Sequence, residues 1–462
     1  MVRSKFLRDL PLLATLALLY IVAGKLGLRL AFLHASATAV WPCTGIALVA
    51  FLIFGYRVWP GILAGALIVN LTTAGSLATS IGIAVGNTLE GVVGCYLVTR
   101  FAGGQHAFEK AQDIFKFAFF AGMVGTTVSA TIGVTTLALG GFASWAMYGS
   151  IWSTWWLGDA VGAVVVTPFL LLWRENLRLN LNRKQVTELV FLFSGLLLTA
   201  WIAFGARLNF SLRDYPLKYL CIPFLVWAAF RFDRRTAATT ICVLAAIATW
   251  GTLHGYGPFS RDFQNTSLLL VQTFMGITAV TTMALAAEVT EHHRAEEHVQ
   301  WLAVTDPLTG LANYRRLLDV LDLEIKRYGR AGRSFAVLLL DLDGLKKIND
   351  AYGHLVGSRA LCRLANIILI HCREIDTAAR YGGDEFVLVL PETGSEAARN
   401  VAQRISERLG NDSEVPPLTV STGTAIFPQD GRTIDELFGT ADRALYLEKE
   451  SSKLKSRLPL VG

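Results

Sequence analysis

Hydrophobic residues come in long blocks up to about residue 290 and in short periodic groups after it. Apolar runs long enough to approach a bilayer span begin near Leu10, Ala37, Val58, Leu77, Ile114, Ile151, Glu188, Leu217, Ala237 and Ser267. They predict about ten helices; the run from Leu217 to Phe230 is short, which leaves eight open. From Leu285 to Thr305 the pattern stays helical but turns abruptly charged, as in EVTEHHRAEEHVQWLAVT (288–305). His292, Ala295, Val299 and Leu302 follow 3-4-3 spacing, the seam of a short parallel dimer helix or one face of a solvated spacer.

Beyond Thr305 the period changes. Phe335–Asp343 reads as a buried strand that ends in carboxylates. Val356–Cys372 reads as an amphipathic helix with Leu361, Leu364, Ala365 and Ile368 on one face. Thr377–Tyr381 and Phe386–Leu390 are strands flanking a Gly-Gly turn. Glu396–Leu409 is a helix, Leu418–Ile426 a strand and Ile434–Glu450 a helix. A hairpin with interleaved helices predicts an α/β domain with a ferredoxin-like, palm-type sheet. The expected fold is therefore a multi-pass α-helical membrane domain of about eight to ten helices (1–286), a helical linker (287–304) and an α/β domain (305–462).

Charge sharpens this division. The chain is 53% hydrophobic and its mean hydropathy is +0.45, too apolar for an ordinary soluble protein. Residues 1–290 carry 20 basic and 11 acidic side chains, and residues 291–462 carry 22 and 25, so a net +6 splits into +9 and −3. The pI near 9.0 thus reflects basic loops of a membrane domain, and no nucleic-acid partner is expected. Those loops alternate. Arg3, Lys5 and Arg8 precede the first run, Arg57 follows the second, and Arg100, Lys110 and Lys116 follow the fourth. Arg174, Arg178, Arg183 and Lys184 follow the sixth, and Arg231, Arg234 and Arg235 the eighth. These loops are expected on the cytoplasmic side, and ten helices would return the C-terminal domain to it, in a bacterial inner membrane. Lys25, Arg29, Arg207, Arg213 and Lys218 depart from the pattern. The first apolar run continues into others without a small-residue cleavage site, so a cleaved signal peptide is not expected. Cys43, Cys95, Cys221, Cys242, Cys362 and Cys372 lack CxxC spacing and read as small buried hydrophobes.

Two sets of polar residues carry candidate chemistry. Asn70, Asn87, Glu90 and Asp159 sit in or beside apolar runs, where a carboxylate is costly unless it faces a partner or a cavity. They are candidates for a ligand pocket or signal relay, or for plain hydrogen bonding between helices. The second set centres on RYGGDEF (380–386). Gly382 and Gly383 allow close approach of backbone to phosphate. Asp384 and Glu385, with Asp341 and Asp343 at the end of another strand, supply the hard oxygen ligands that suit magnesium carrying a nucleoside triphosphate.

The surrounding segments resemble two families. AVWPCTGIAL (39–48), GNTLEG (86–91) and WWLGDAVG (155–162) resemble the MASE-type membrane-associated sensors over about residues 10–285. This implies an integral membrane sensor, of undefined ligand, coupled to a C-terminal output. DPLTGLAN (306–313), DLDGLKKINDAYGH (341–354), RYGGDEF, TVSTGTA (419–425) and ADRALYLEK (441–449) resemble the GGDEF diguanylate cyclases from Thr305 to about Ser456.

That second resemblance implies condensation of two GTP to cyclic di-GMP and two pyrophosphates by a homodimer whose domains face each other. It implies that Asp341, Asp384 and the Leu342 carbonyl bind Mg2+ or Mn2+, that Glu385 completes the acidic site, and that Gly382 and Gly383 shape the phosphate-facing turn. It implies guanine contact by Asn349, and phosphate contact by Lys346 and Lys449. Arg373 and Asp376, in RxxD form with five residues between Asp376 and Gly382, imply an inhibitory product site; a surface ion pair is the other reading.

The chain also departs from the family pattern. Ser358 stands where an aspartate normally contacts guanine, and Lys453 where an arginine contacts phosphate. Leu345 replaces a common Phe, and Tyr314 a common Arg. These changes keep a second function open, a catalytically weak domain that binds GTP or cyclic di-GMP. A transporter role for the membrane half is disfavoured by the lack of a clear internal repeat, and no EAL phosphodiesterase segment is present.

Overall fold

In hydrocarbon, backbone polar groups have no partner but each other, and the long apolar runs fold accordingly as helices. The computed structural model describes residues 2–28, 31–34, 37–73, 75–175, 181–205 and 216–457, with side chains described for 9–28, 38–73, 75–174, 181–205 and 216–451. The side chains of Arg3, Lys5, Arg8, Arg29, Arg178, Arg207, Arg213 and Lys453 lie outside the described residues. The chain divides into two units, Met1–His293 and Arg294–Gly462.

The first unit opens with α1 (Val2–Leu28), followed by a short antiparallel pair, β1 (Ala31–His34) and β2 (Ala37–Thr38). Next come α2 (Pro42–Phe54), α3 (Trp59–Leu71) and α4 (Leu77–Phe101). A π-helical stretch, Ala118–Gly125, joins α5 (Ala111–Phe117) to α6 (Thr126–Leu139) in one continuous rod. The unit continues through α7 (Tyr148–Glu175), α8 (Arg183–Ala200), α9 (Ile222–Arg231) and α10 (Arg234–Leu253). The last helix, α11 (Gln264–Val304), runs 41 residues without a break.

Among the described residues, 7 helical segments are long and apolar enough to cross a membrane, from Asp9–Leu28 to Gln264–Val304. The remaining runs give short helices. α2 and α3 have 13 residues each, which at about 1.5 Å per residue span about 20 Å, less than a hydrocarbon core of about 30 Å. α9 has 10 residues. The ten runs thus resolve into seven long helices and three short ones. Side chains such as Tyr20, Phe51, Ile62 and Phe117 pack into the buried core of the unit, and all six cysteines are free.

The second unit follows the change of period. It consists of α12 (Tyr314–Ala331), β3 (Phe335–Leu342), α13 (Leu345–Tyr352), α14 (His354–His371), β4 (Thr377–Gly382), β5 (Glu385–Pro391), α15 (Ser395–Gly410), β6 (Val420–Phe427) and α16 (Ile434–Arg457). The sheet order is β4-β5-β3-β6, with every pairing antiparallel. All eight residues of β3 are buried, because the sheet is covered on both faces. Its period of two sends Ala336, Leu338, Leu340 and Leu342 into a core with α14 and α15. Phe335, Val337 and Leu339 enter the opposite core, with Leu317 and Leu321 of α12 and Leu437 and Ala441 of α16.

α16 lies so close to β6 that a Cβ on Gly423 would stand 2.1 Å from the Ala441 carbonyl oxygen and 2.6 Å from Leu445 N. Backbone atoms cannot move aside as a rotamer can. Gly423→Ala is therefore expected to cost about 1–3 kcal/mol, the scale of overpacking in a filled core. Chemical denaturation should show a lower midpoint; an unchanged midpoint would mean that α16 slides freely along β6.

Candidate active site at the β4–β5 hairpin

The register of β3 sets the position of every acidic group here. Asp341 falls on the same face as Val337 and Leu339, the face covered by α16, and sits at the strand's end where the covering layer runs out. Antiparallel pairing puts Glu385 of β5 and Ser421 of β6 directly opposite it. Between β4 and β5 only Gly383 and Asp384 make the turn, and Gly382 pairs with Glu385. Gly383 has φ +41, a conformation that glycine adopts without strain, as the first central residue of such a hairpin requires. A Cβ on Gly382 or Gly383 would meet nothing within 4 Å, so the tip is open. Leu342 N–H donates to the Asp384 carbonyl at 3.0 Å, which ties the end of β3 to the hairpin. The neighbouring Asp343 points away to β6, accepting from Thr419 Oγ1 at 2.9 Å and Ser421 Oγ at 2.8 Å.

Among the described residues, one cation pairs with a carboxylate at this corner. Lys449 Nζ lies 2.7 Å from Asp341 Oδ1, so α16 delivers it to the carboxylate at the expected metal site. Glu448, one residue earlier, accepts from Thr422 N at 2.5 Å and Thr422 Oγ1 at 2.8 Å, fixing that turn of α16 against β6. Even so, charge is not balanced. Burial raises the Asp341 carboxyl above its usual range; Lys449 pulls it back, and the Asp384 and Asp343 carboxylates add to the rise. Burial, then Asp341 and Asp384, raise Glu385 in the same way.

The other expected residues divide into groups. α13 begins three residues after Leu342, with exposed Lys346 in its first turn. The Asn349 side chain lies against Gly357, where a Cβ would be 1.9 Å from its Oδ1; Ser358, the next residue of α14, is partly buried. Arg373 and Asp376 stand before the opposite end of β4, about 17 Å along the strand from Gly382 at about 3.3 Å per residue. They line a depression with His371, Asn400, Gln403 and Arg404. Arg373 N–H donates to Asp376 Oδ2 at 2.7 Å, while Asp376 Oδ1 is buried without a hydrogen bond. Burial lowers the His371 pKa, and Arg404 and Arg408 lower it further; Glu407 also lines the depression. Asn70, Asn87, Glu90 and Asp159 are all buried in the first unit.

Sequence reasoning passed over Asp306 and Arg380, although both lie inside the quoted motifs. Arg380 donates to the Gly383 carbonyl through Nε at 3.1 Å and Nη2 at 2.7 Å. Its Nη1 lies 3.3 Å from both Asp306 oxygens. Thr309 N and Oγ1 donate to Asp306 at 2.8 and 2.7 Å. The segment 306–313 also runs beside β4, with Ala312 N–H donating to the Ala378 carbonyl and Arg380 N–H to the Ala312 carbonyl. An arginine two residues before a glycine turn, with an aspartate upstream to hold it, was the signal available.

Comparison with known proteins agrees with the division into two units. The MASE1 family model matches residues 12–293, and the model described as the diguanylate cyclase GGDEF domain matches residues 303–455. The chain is 38% identical over 164 residues to the bifunctional diguanylate cyclase/cyclic di-GMP phosphodiesterase MucR of Pseudomonas aeruginosa, over 35% of this chain and 24% of that protein. It is 34% identical over 189 residues to diguanylate cyclase DgcM of Escherichia coli, over 40% of this chain and 46% of that protein. A similar solved structure is the coiled coil and GGDEF domain of DgcB from Caulobacter crescentus in complex with c-di-GMP, at 28% identity and TM-score 0.33, covering 36% of this chain and 90% of that one. The chain spans only 24% and 46% of the length of the two curated relatives. The MASE1 match and the seven long apolar helices make this a multi-pass membrane protein that carries a GGDEF domain after its membrane part.

GGDEF cyclases require a divalent metal, and the acidic corner fits one. Asp341 and Asp384 offer hard oxygen ligands at a corner where burial and then neighbouring carboxylates raise Asp341 and Glu385 even with Lys449 2.7 Å from Asp341 Oδ1. Among the described residues no three His, Cys, Asp or Glu side chains converge to hold a metal by themselves. This suits an ion that takes one or two carboxylates and completes its shell with phosphate oxygens and water.

The Asp306–Arg380 pair yields a pH prediction. Burial alone would raise Asp306, but the Thr309 donors and Arg380 outweigh it and hold the carboxyl below its usual range. A depressed folded-state pKa contributes stability at neutral pH that is lost as pH falls through that value. Asp306→Asn should therefore destabilise by about 1–2 kcal/mol at pH 7, the scale of hydrogen bonds to a charged group. In urea denaturation the gap from wild type should narrow below about pH 4. A gap that stays constant with pH would rule out the charge as its source.

Proposed function

We propose that this chain, which belongs to the MASE1 family and carries a GGDEF domain, is a diguanylate cyclase whose activity its membrane part regulates. The observation that carries this reading is the acidic corner itself. Asp341 and Glu385 face each other across two paired strands, Asp384 stands at the turn, and an open diglycine tip adjoins them.

In this reading the triphosphate of GTP lies along the Gly382–Gly383 tip, where no side chain obstructs it. Asn349 and Ser358 meet the guanine, and Lys346, Lys449 and Lys453 meet the phosphates as point charges. Asp341, Asp384 and the Leu342 carbonyl would hold Mg2+ or Mn2+, which when bound polarises the α-phosphate and acidifies the attacking hydroxyl. Lys449 moves from Asp341 to the phosphates as that charge is met. The 3′-oxygen of one GTP attacks the α-phosphorus of the other; a new P–O bond forms and the bond to pyrophosphate breaks. Glu385, its pKa raised by burial and by Asp341 and Asp384, is positioned to take the 3′-hydroxyl proton. A second transfer closes the ring.

One domain holds one GTP, so two copies must face each other. Val299 and Leu302, which are 65% and 43% exposed on the charged part of α11, supply the seam for a parallel dimer helix. The alternating basic loops support a cytoplasmic GGDEF domain beneath a bacterial inner membrane. Ser358 supports the second reading, a weak cyclase that chiefly binds nucleotide, because a hydroxyl makes a weaker bond to the guanine edge than a carboxylate does.

Asp384→Ala and Asp341→Ala should each lower cyclic di-GMP formation from GTP and Mg2+ at least about a hundredfold, as loss of a main electrostatic stabiliser does. Near-normal turnover in either folded variant would overturn the metal assignment.

A separate prediction concerns feedback. The depression beside Arg373 and Asp376 combines arginines with an unpaired buried carboxylate oxygen, which suits the phosphates and the guanine N–H groups of the product. Inhibition from there would be coupling between distinct sites. Arg373→Ala should remove most product inhibition and leave the initial rate nearly intact. Inhibition that excess GTP relieves, or identical inhibition curves for both proteins, would assign the pair to the surface.

A further inference from the structure

Two buried carboxyl groups in the membrane unit are left without a counter-charge. Glu90 of α4 is 2% exposed and Asp159 of α7 is 1% exposed. Among the described residues neither forms an ion pair; their hydrogen-bonding neighbours are hydroxyls and an indole. Thr44 of α2 donates to Glu90 Oε1 at 3.1 Å. Thr44 and Ser129 of α6 neighbour both carboxyls, and Trp155 also neighbours Asp159. Tyr20 of α1 and Cys43 of α2 are the other ionisable groups turned toward them. Lys25, on α1, is engaged elsewhere, donating to the Val69 and Thr72 carbonyls at 3.2 and 2.8 Å and to Thr73 Oγ1 at 3.1 Å.

A small cavity opens onto Asp159, lined by Thr38, Trp41, Asn70, Asn87 and Trp155, with room for about one water-sized body. Two of its lining residues carry a buried polar atom without a hydrogen bond, Asp159 Oδ2 and Asn87 Nδ2. The rest of the Asn87 amide is satisfied, its Oδ1 accepting from Ser129 Oγ at 2.7 Å, and Ser129 Oγ in turn accepts from Trp155 Nε1 at 3.1 Å. In this network the unpaired polar atoms are Asp159 Oδ2 and Asn87 Nδ2 at the cavity and, on α11, Gln272 Oε1. An unpaired buried carboxylate costs far more than an unpaired amide, so what the cavity lacks is one positive charge of small size.

We propose that Asp159 at this cavity, with Glu90 as a second carboxyl close by, forms a binding site for one small monovalent cation, either an alkali ion or a proton. The site has a mechanical route to the output. Gly158, beside Asp159, accepts from Trp41 N–H at 3.0 Å. A Cβ on it would stand 2.6 Å from the Thr38 carbonyl oxygen and 3.3 Å from Gln272 Nε2. Gln272 belongs to α11 and donates to the Thr38 and Thr154 carbonyls at 3.1 and 3.0 Å. A change in charge at Asp159 thus acts on the helix that continues to Val304. That this controls cyclase activity rests on the function proposed above; the binding itself does not.

Because Trp41 and Trp155 line the cavity, tryptophan fluorescence of the full chain in nanodiscs reports binding directly. One arm titrates NaCl or KCl against choline chloride at fixed ionic strength and pH 7.5. The other lowers pH from 8.5 to 5.5 in choline chloride alone. A saturable change in the first arm identifies an alkali ion, and a change confined to the second identifies a proton. Asp159→Asn, or Glu90→Gln should the first variant not fold, should weaken the apparent affinity at least about tenfold, the effect of losing one charged hydrogen bond. Trp155→Phe should reduce the amplitude. No saturable change in either arm, or one that both carboxamide variants retain, would overturn the site. Cyclase rates measured in parallel separate the two ideas. A fluorescence response without a rate response removes only the regulatory link, and a chain without cyclase activity leaves the binding result intact.

Discussion

The C-terminal unit is built on a strand that is apolar on both faces and then abruptly acidic. Burial on both sides fixes β3 in the middle of the sheet, since only a central, doubly covered strand can hide all eight of its residues. That burial also fixes register, because a slip of one residue would exchange its two faces between two cores of different shape. Asp341 inherits its position from this constraint. It cannot be moved toward solvent without moving Val337 and Leu339, so its carboxyl stays largely buried, with Lys449 beside it. Glu385 lies opposite it by pairing, and Lys449 comes to it because Glu448 and Gly423 hold α16 close against β6. The acidic corner follows from packing that is otherwise wholly apolar.

The hairpin tip is held from another direction. Two glycines leave it free to accept phosphate, but the same freedom would let it wander. Arg380 removes part of that freedom by gripping the Gly383 carbonyl with one edge of its guanidinium and Asp306 with another. Asp306 lies just after α11, and Asn313 holds the end of that helix by donating to the Ala303 carbonyl at 3.0 Å while capping α12. The end of α11, the opening loop and the catalytic turn are consequently one hydrogen-bonded chain within the C-terminal unit. This gives contiguity, which coupling needs; two discrete arrangements of that chain would also have to exist for a signal to travel along it.

Much of this was legible in the sequence, and the gaps have physical causes. The strands and longer helices of the second unit were readable because each has one period and one burial pattern; their ends fall within a few residues of expectation. α12 and α13 were passed over. α12 carries 8 charged side chains among its 18 residues, beside the buried Leu317, Val320 and Leu321, and α13 has only 8 residues. In the membrane unit hydropathy marked every run but could not measure length, because short α2 and α3 are as apolar as the spans. The gathering of Asp341, Asp384 and Glu385 at one corner was legible because carboxylates at strand ends are conspicuous. Asp306, Arg380 and Glu448 were not, because their work is done on backbone atoms that a sequence does not display.

The two units meet the same electrostatic problem with different means. In the C-terminal unit the carboxylates gather at the end of the sheet beside an open diglycine tip, where Lys449 reaches Asp341. In the membrane unit Glu90 and Asp159 are closed in by tryptophan, threonine and asparagine, and hydroxyl donors spread a negative charge without cancelling it. Helix association alone would have been served as well by serine or asparagine, which bridge helices without any charge to neutralise. Ionisable groups at that depth are worth their cost only if their charge state changes, and a cavity with room for about one water-sized body sets how small the agent of that change must be.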